Sequence, residues 1–214
     1  FFIYSFMRYS ENKIRSINQE KNHLNLQLEL LKKQLSPHYL FNNLNTISSL
    51  VYKDTSITEK YIRKLAKTYQ YILNSDKHRL VSVQQELEFV LDYTELLKIR
   101  FQHAIELKIN LNQNMQTNFI PPMCLQVLIE NAVKHNIATP KEKLIIDISS
   151  KGNNWILVCN NITKSPQNVT SFNIGLNNLR AQLAFFTNQK IKIDKSNRFC
   201  VSIPIQKENI AKYA

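Results

Sequence analysis

A chain of 214 residues holds one large domain or two small ones. Its 43% hydrophobic content supports a packed core and excludes general disorder. A formal charge of +12 raises the question of a nucleic-acid partner. No run of Lys or Arg exceeds two residues, however, and no zinc-finger or RNA-recognition motif occurs. The charge therefore reads as solvated Lys-rich faces, and no nucleic-acid partner is expected.

In chain order, residues 1–9 read FFIYSFMRY and are followed by Lys13 and Arg15. An apolar stretch that ends in basic residues is how a membrane helix emerges on the cytoplasmic side. Nine residues are too few to cross a bilayer, which takes about 20. The segment is thus expected to be the end of a transmembrane helix in a longer chain. Residues 10–35 follow as a coiled-coil helix. Ile14, Ile17, Leu24, Leu28, Leu31 and Leu35 share one heptad seam, with Lys21 in the vacant position.

The seam then changes phase. Its next positions are His38, Asn42, Asn45 and Ser49, all polar, while Leu40, Leu44, Ile47 and Val51 carry the apolar rhythm. Pro37 stands at the change. Ser36 as N-cap and Pro37 in the first turn predict a kink or a helix restart. The restart lets the new apolar stripe enter a core and turns His38 outward.

A helix is predicted from Ile57 to about Asn74, with Tyr61, Leu65, Tyr69 and Ile72 inward. The short linker before it suits an antiparallel helical hairpin. Ser82 and Gln85 form a capping-box pattern that opens a helix to about Arg100, with Leu87, Val90, Leu91, Leu97 and nearby aromatics inward. The pattern then becomes mixed. Residues 105–111 alternate as a strand, CLQVLIENAVKHN reads as a helix, and two strands flank a Gly-Asn-Asn turn. A polar loop covers residues 161–173. A helix over 176–186 and a hairpin ending at Pro204 complete the chain. The expected class is α+β, with a helix layer on a mostly antiparallel sheet. Cys124, Cys159 and Cys200 are far apart, odd in number and in apolar surroundings, and are expected to be reduced core thiols.

Three stretches carry a family resemblance. QLSPHYLFNNLNTI resembles the phosphoacceptor box of the LytS/YehU-type sensor histidine kinases. PPMCLQVLIENAVKHNI resembles their N-box, and NIGLNNLRAQL their last glycine box. The resemblance runs from about Lys32 to Ile205. It implies a coiled coil and helical-hairpin dimerisation domain, then a Bergerat-type (GHKL) α/β sandwich that binds ATP. The chain is accordingly divided into 1–9, juxtamembrane; 10–35, signalling coiled coil; 36–103, dimerisation and phosphotransfer helices; 104–206, ATP-binding domain; and 207–214, tail.

By that resemblance His38 accepts the γ-phosphoryl group of ATP and passes it to an aspartate of a response regulator, of LytTR type. The partner list is completed by a second copy of the chain in a homodimer. The location implied is the inner or cytoplasmic membrane, reached through an upstream segment, with this region cytoplasmic. The physical case agrees. A histidine in a first helical turn is kept neutral by the positive end of the helix dipole, and Asn42 can hold its ring. Glu130 would orient or deprotonate His38. Asn131 would ligate Mg²⁺, which prefers oxygen ligands, waters and phosphates. Lys134 would neutralise phosphate charge and His135 would line the ribose and phosphates. Asn160, Asn161, Gly175, Leu176 and Asn178 complete the ATP-binding set. Three positions depart from the family pattern. Asn160 stands where an Asp reads the adenine amino group, Asn173 replaces a glycine, and Gln182 stands where an Arg is common. These departures motivate the alternative of a pseudokinase, a dimeric ATP-sensing or scaffolding module.

Overall fold

A computed structural model of the chain describes residues 13, 37–75, 78–166 and 174–207. The juxtamembrane segment 1–9, most of the coiled coil, Ser36, Asn173 and the tail beyond 207 lie outside the described residues. Among the described residues no helix is long and apolar enough to cross a membrane. The chain forms two compact units, Phe1–Thr55 and Ser56–Ala214.

Helix α1, Pro37–Val51, belongs to the first unit. Among the described residues it runs from Pro37. Asn43 is buried and its Nδ2 donates to the Tyr39 carbonyl at 2.8 Å. The stripe predicted to enter a core does not do so in this chain. Leu40 is 39%, Leu44 50% and Val51 46% exposed.

The second unit begins with α2, Thr55–Ser75, and α3, Val83–Arg100. Tyr61 and Leu65 are buried, as their spacing implies, and Thr58 and Thr68 join them. The capping box opens α3: Ser82 Oγ accepts from Gln85 N, and Ser82 N donates to Gln85 Oε1. Leu87, Val90 and Leu97 are buried, but Leu91, predicted inward, is 50% exposed. Phe89 and Tyr93, aromatics of the same helix expected inward, are buried, and Leu96 joins them. A two-stranded sheet that periodicity did not reveal joins β1, Val81–Ser82, to β3, Phe119–Ile120. With Val83 N donating to the Asn118 carbonyl, it stitches the start of α3 onto the mixed part of the chain. This is one physical reason the helices and the sheet form a single unit.

The main sheet contains β2 (Ile105–Asn110), β4 (Leu144–Lys151), β5 (Trp155–Asn161), β6 (Lys192–Lys195) and β7 (Arg198–Pro204). Its order is β2-β4-β5-β7-β6; only the β2–β4 pair is parallel. Gly152 adopts φ +63° in the β4–β5 turn, a conformation disfavoured for side-chain-bearing residues. Two helices accompany the sheet: α4, Cys124–His135, and α5, Ile174–Ala184. The α+β expectation, with a helix layer on a mostly antiparallel sheet, is met.

Strand alternation separates the two faces of the sheet. Ile146, Ile148, Ile156, Val158, Val201 and Ile203 lie on the buried inner face. Cys159 and Cys200 are direct partners across β5 and β7 on the outer face, and they form a disulfide. The expectation of three reduced thiols is therefore corrected. The pair is 41 residues apart in sequence, so only the strand register brings the two sulfurs together. Cys124 is free and buried.

Candidate nucleotide-binding site

Helix α4 organises the site. Leu125, Leu128, Ile129 and Ala132 form its buried stripe. Asn131 and His135, four residues apart, lie one above the other at the edge of that stripe. They face a cavity of about 410 Å³, within the range that takes a cofactor-sized ligand. Asn160 on β5 and Leu176 on α5 line the same cavity. Residues from three separate sequence motifs thus converge on one space.

The adjacent asparagines of β5 divide by alternation. Asn160 shares the inner face with Val158 and is 4% exposed. Its Nδ2 donates to the Asn161 carbonyl at 2.6 Å, which turns Oδ1 into the acceptor on offer. Asn161 lies on the other face. Its Oδ1 accepts from Ile145 N at 2.7 Å and its Nδ2 donates to the Lys143 carbonyl at 3.0 Å. Asn161 is thus a staple between strands and does not line the cavity.

Gly175 backs directly onto α4. A Cβ there would lie 3.2 Å from Val127 Cγ1 and 3.7 Å from Asn131 Nδ2. This close approach is what the glycine permits. Asn131 Nδ2 is buried and has no hydrogen-bond partner among the described residues. A buried amide in that state is costly unless a ligand or water completes it. Its Oδ1 would supply one oxygen to a cation held mainly by phosphates and water. Among the described residues no cluster of three His, Cys, Asp or Glu could hold a metal on its own.

His135 is pulled below the usual imidazole range. Burial is the largest cause, followed by the charges of Lys134 and Lys195. The ring is therefore neutral at pH 7 and one nitrogen can accept a hydrogen bond. At the end of α4, Asn136 takes over as a latch. Its Nδ2 donates to the Ala132 carbonyl at 2.8 Å, and its Oδ1 accepts from Thr163 N at 2.8 Å. The latch ties the helix to the segment after β5, which supplies Ile162, Ser165 and Pro166 to the cavity.

Other predicted residues lie elsewhere. Glu130 and Lys134 share an exposed face of α4, and Glu130 accepts from Gln126 Nε2 at 3.1 Å. Lys134, expected to neutralise phosphate charge, is exposed and outside the cavity lining. Asn178 and Gln182 are exposed on α5, outside the lining. His38 and Asn42 are on α1, in the first unit. The Asn42 carbonyl accepts from Thr46 Oγ1 at 2.9 Å.

Among the cavity residues that escaped the sequence reading are two on the last hairpin. Lys195 and Phe199 are cross-strand partners on the inner face, with Lys195 Nζ 5.6 Å from the Phe199 ring centre. The alternation Ile193-Asp194-Lys195 carries the signal, because it puts the lysine on the apolar side. Glu86 also escaped. It is fully buried on α3, and the Met123 and Leu125 amides donate to it at 2.9 and 3.1 Å. The signal was a glutamate at a core position, between Val83 and Val90. Burial raises its carboxyl to about 7, against the lowering effect of hydrogen bonds from Tyr71 and backbone amides.

Comparison with known proteins follows the same lines. Residues 26–105 match the family described as Histidine kinase. The chain is 28% identical over 230 aligned positions to the sensor protein kinase HptS of Staphylococcus aureus (strain USA300). That match takes in 98% of this chain and 44% of HptS, so the chain spans less than half of its relative. Among solved structures, the catalytic domain of histidine kinase ThkA overlaps with a TM-score of 0.44 at 14% identity, covering 60% of this chain and 95% of that one. Histidine kinase AdeS of Acinetobacter baumannii overlaps with a TM-score of 0.42 at 16% identity, covering 83% and 98%. The family match and the similarity to HptS agree with the resemblance that the three sequence boxes carry.

Proposed function

We propose that this chain is the kinase part of a membrane sensor histidine kinase. The observation that carries the reading is the convergence of Asn131, His135, Asn160 and Leu176, from boxes far apart in sequence, on one cavity. ATP binds there with its adenine toward Asn160, whose Oδ1 accepts from the exocyclic amine. Asn131 would hold a Mg²⁺ ion, which would supply neutralising charge to the phosphates, and His135 and Lys195 would border the ribose and phosphates. Gly175 and Leu176 close the side formed by α5.

His38 supplies the nucleophile. A neutral ring nitrogen attacks the γ-phosphorus, the bond to the β–γ bridging oxygen breaks, and ADP leaves. Such transfers depend chiefly on positioning and charge stabilisation. The phosphoryl group then passes to an aspartate of a response regulator, of LytTR type. Asn42 holds the ring, and Glu130 orients it or takes its proton. The chain works as a homodimer anchored through a segment upstream, with this region on the cytoplasmic side.

Incubation with γ-labelled ATP and Mg²⁺ tests the reading. Acid-labile, alkali-stable label is expected on the wild-type chain and none on His38→Gln. A second reading, a nucleotide-sensing scaffold, draws on Asn160, whose neutral amide replaces a charged acceptor. Retained ATP binding without label on the wild type would favour it and overturn the kinase.

A further inference from the structure

Helix α4 starts without a cap of its own. Its N-cap residue is Met123, at φ 60°, and no side chain from that position bonds the first turn. The opening amides would be left orphaned in a buried setting. Glu86, reaching across from α3, takes their place. Its Oε2 accepts from Met123 N at 2.9 Å and its Oε1 accepts from Leu125 N at 3.1 Å; the Gln126 amide also bonds to it. A carboxylate at a helix N-terminus also meets the positive end of the dipole.

The cap is itself held. Tyr71 Oη, on α2, donates to Glu86 Oε2 at 2.7 Å. The Tyr71 ring stacks on Phe89 of α3, with centroids 4.2 Å apart and planes 15° from parallel. One carboxylate thus joins three helices, α2 through a phenol, α3 through its own backbone, and α4 through its first amides. Asn131 and His135 sit farther along the same α4. An α-helix moves largely as a rod, so a shift or rotation at its first turn reaches the cavity wall. Gly175 leaves that wall little slack, since even a methyl group there would crowd Val127.

We propose that Glu86 is a positioning residue for the nucleotide cavity, setting the placement of Asn131 and His135 through the start of α4, with Tyr71 the tie through which α2 acts on it. This deepens the kinase reading and rests on it for the identity of the ligand. Movement of α2 would then be felt as a change in nucleotide affinity.

The test uses the full chain and four proteins: wild type, Tyr71→Phe, Glu86→Gln, and Ile203→Val as a control on the inner sheet face. Amide exchange is read at Leu125 and Gln126, and the Kd for Mg²⁺ with a non-hydrolysable ATP analogue is measured in parallel. Tyr71→Phe keeps the ring stack and removes only the tie. It is expected to speed exchange at both amides severalfold and to weaken the analogue about 3- to 10-fold, with Glu86→Gln larger in both. The control should lower the melting temperature yet leave Kd within twofold. Unchanged exchange and affinity in Tyr71→Phe, or equal weakening in the control, would overturn the proposal. If the wild type binds no nucleotide, the ligand reading fails and the proposal with it; faster exchange would then mark Glu86 as a plain helix cap.

Discussion

Helices α1 and α4 both carry a polar motif beside an apolar stripe, and they treat that stripe in opposite ways. In α4 the stripe is buried, and Asn131 and His135 are fixed at its border. In α1 the stripe is largely exposed, and the most deeply buried polar residue is Asn43, bonded back to its own helix. A helix of 15 residues gains little from propensity alone and depends on packing of its apolar face. The difference teaches that the cavity is built by this chain's own core. The α1 face is what an added surface would have to stabilise, in keeping with the proposed homodimer.

Paired truncations give the largest expected break in that contrast. Ile146, fully buried on the inner face, should cost about 2–5 kcal/mol when cut to Ala. Leu44→Ala should change the unfolding free energy of the isolated chain by only about 0.5 kcal/mol or less. Urea melts at low and high protein concentration would read both. A loss for Leu44→Ala that grows with concentration would show that self-association covers α1, and equal losses at all concentrations would erase the contrast.

A smaller effect lies in the pH dependence of the α4 side. The carboxyl of Glu86 is raised from 4.5 to about 7, chiefly by burial. Between those values the folded chain holds more protons than the unfolded chain, so this group's stabilising contribution falls as pH rises through the window. The full swing is on the order of 3 kcal/mol at most. Tyr71 and Cys124 stand beside the carboxyl; burial is the leading cause pushing each to a higher value, so neither adds charge there. Glu86→Gln should flatten the wild-type slope in chemical melts between pH 4.5 and 7. A slope that survives the substitution would assign it to another group.

The smallest expected effect is at Gly175→Ala. The added methyl should shift stability by no more than about 1 kcal/mol, because better helix propensity offsets the contact with Val127. Nucleotide affinity should still fall severalfold, because Val127, on the same helix as Asn131, must give way. Calorimetric titration with the ATP analogue would detect it, and an unchanged Kd would show that the wall has room to spare.

Local patterns made much of this legible. Heptad and strand periodicities located every long element among the described residues, and the Ser82–Gln85 box marked the start of α3 correctly. Asn131, His135, Asn160 and Leu176 were all named from their motifs, and all reach the cavity. What was missed depends on partners distant in sequence. The β1–β3 pairing is two residues long and has no periodicity to read. Glu86 stands at a core position of its helix, but the reason for a charge there appears only with α4, 37 residues on. Asn161 was placed in the site and Lys195 left out of it for one shared reason: facing is decided by strand register, which adjacent letters do not disclose.

That register has a covalent witness. Cys159 sits opposite Cys200, and Asn160 opposite Phe199. A slip of one residue between β5 and β7 would separate the sulfurs and rotate the doubled asparagine, exchanging an amide that faces the cavity for one that faces away. Two chemically identical neighbours offer the folding chain no local clue to that error. The sulfur pair supplies one, because the bond can close only in the alignment that puts Asn160 inside. The pair lies on the side of the sheet away from the cavity, so it marks the alignment without obstructing the site.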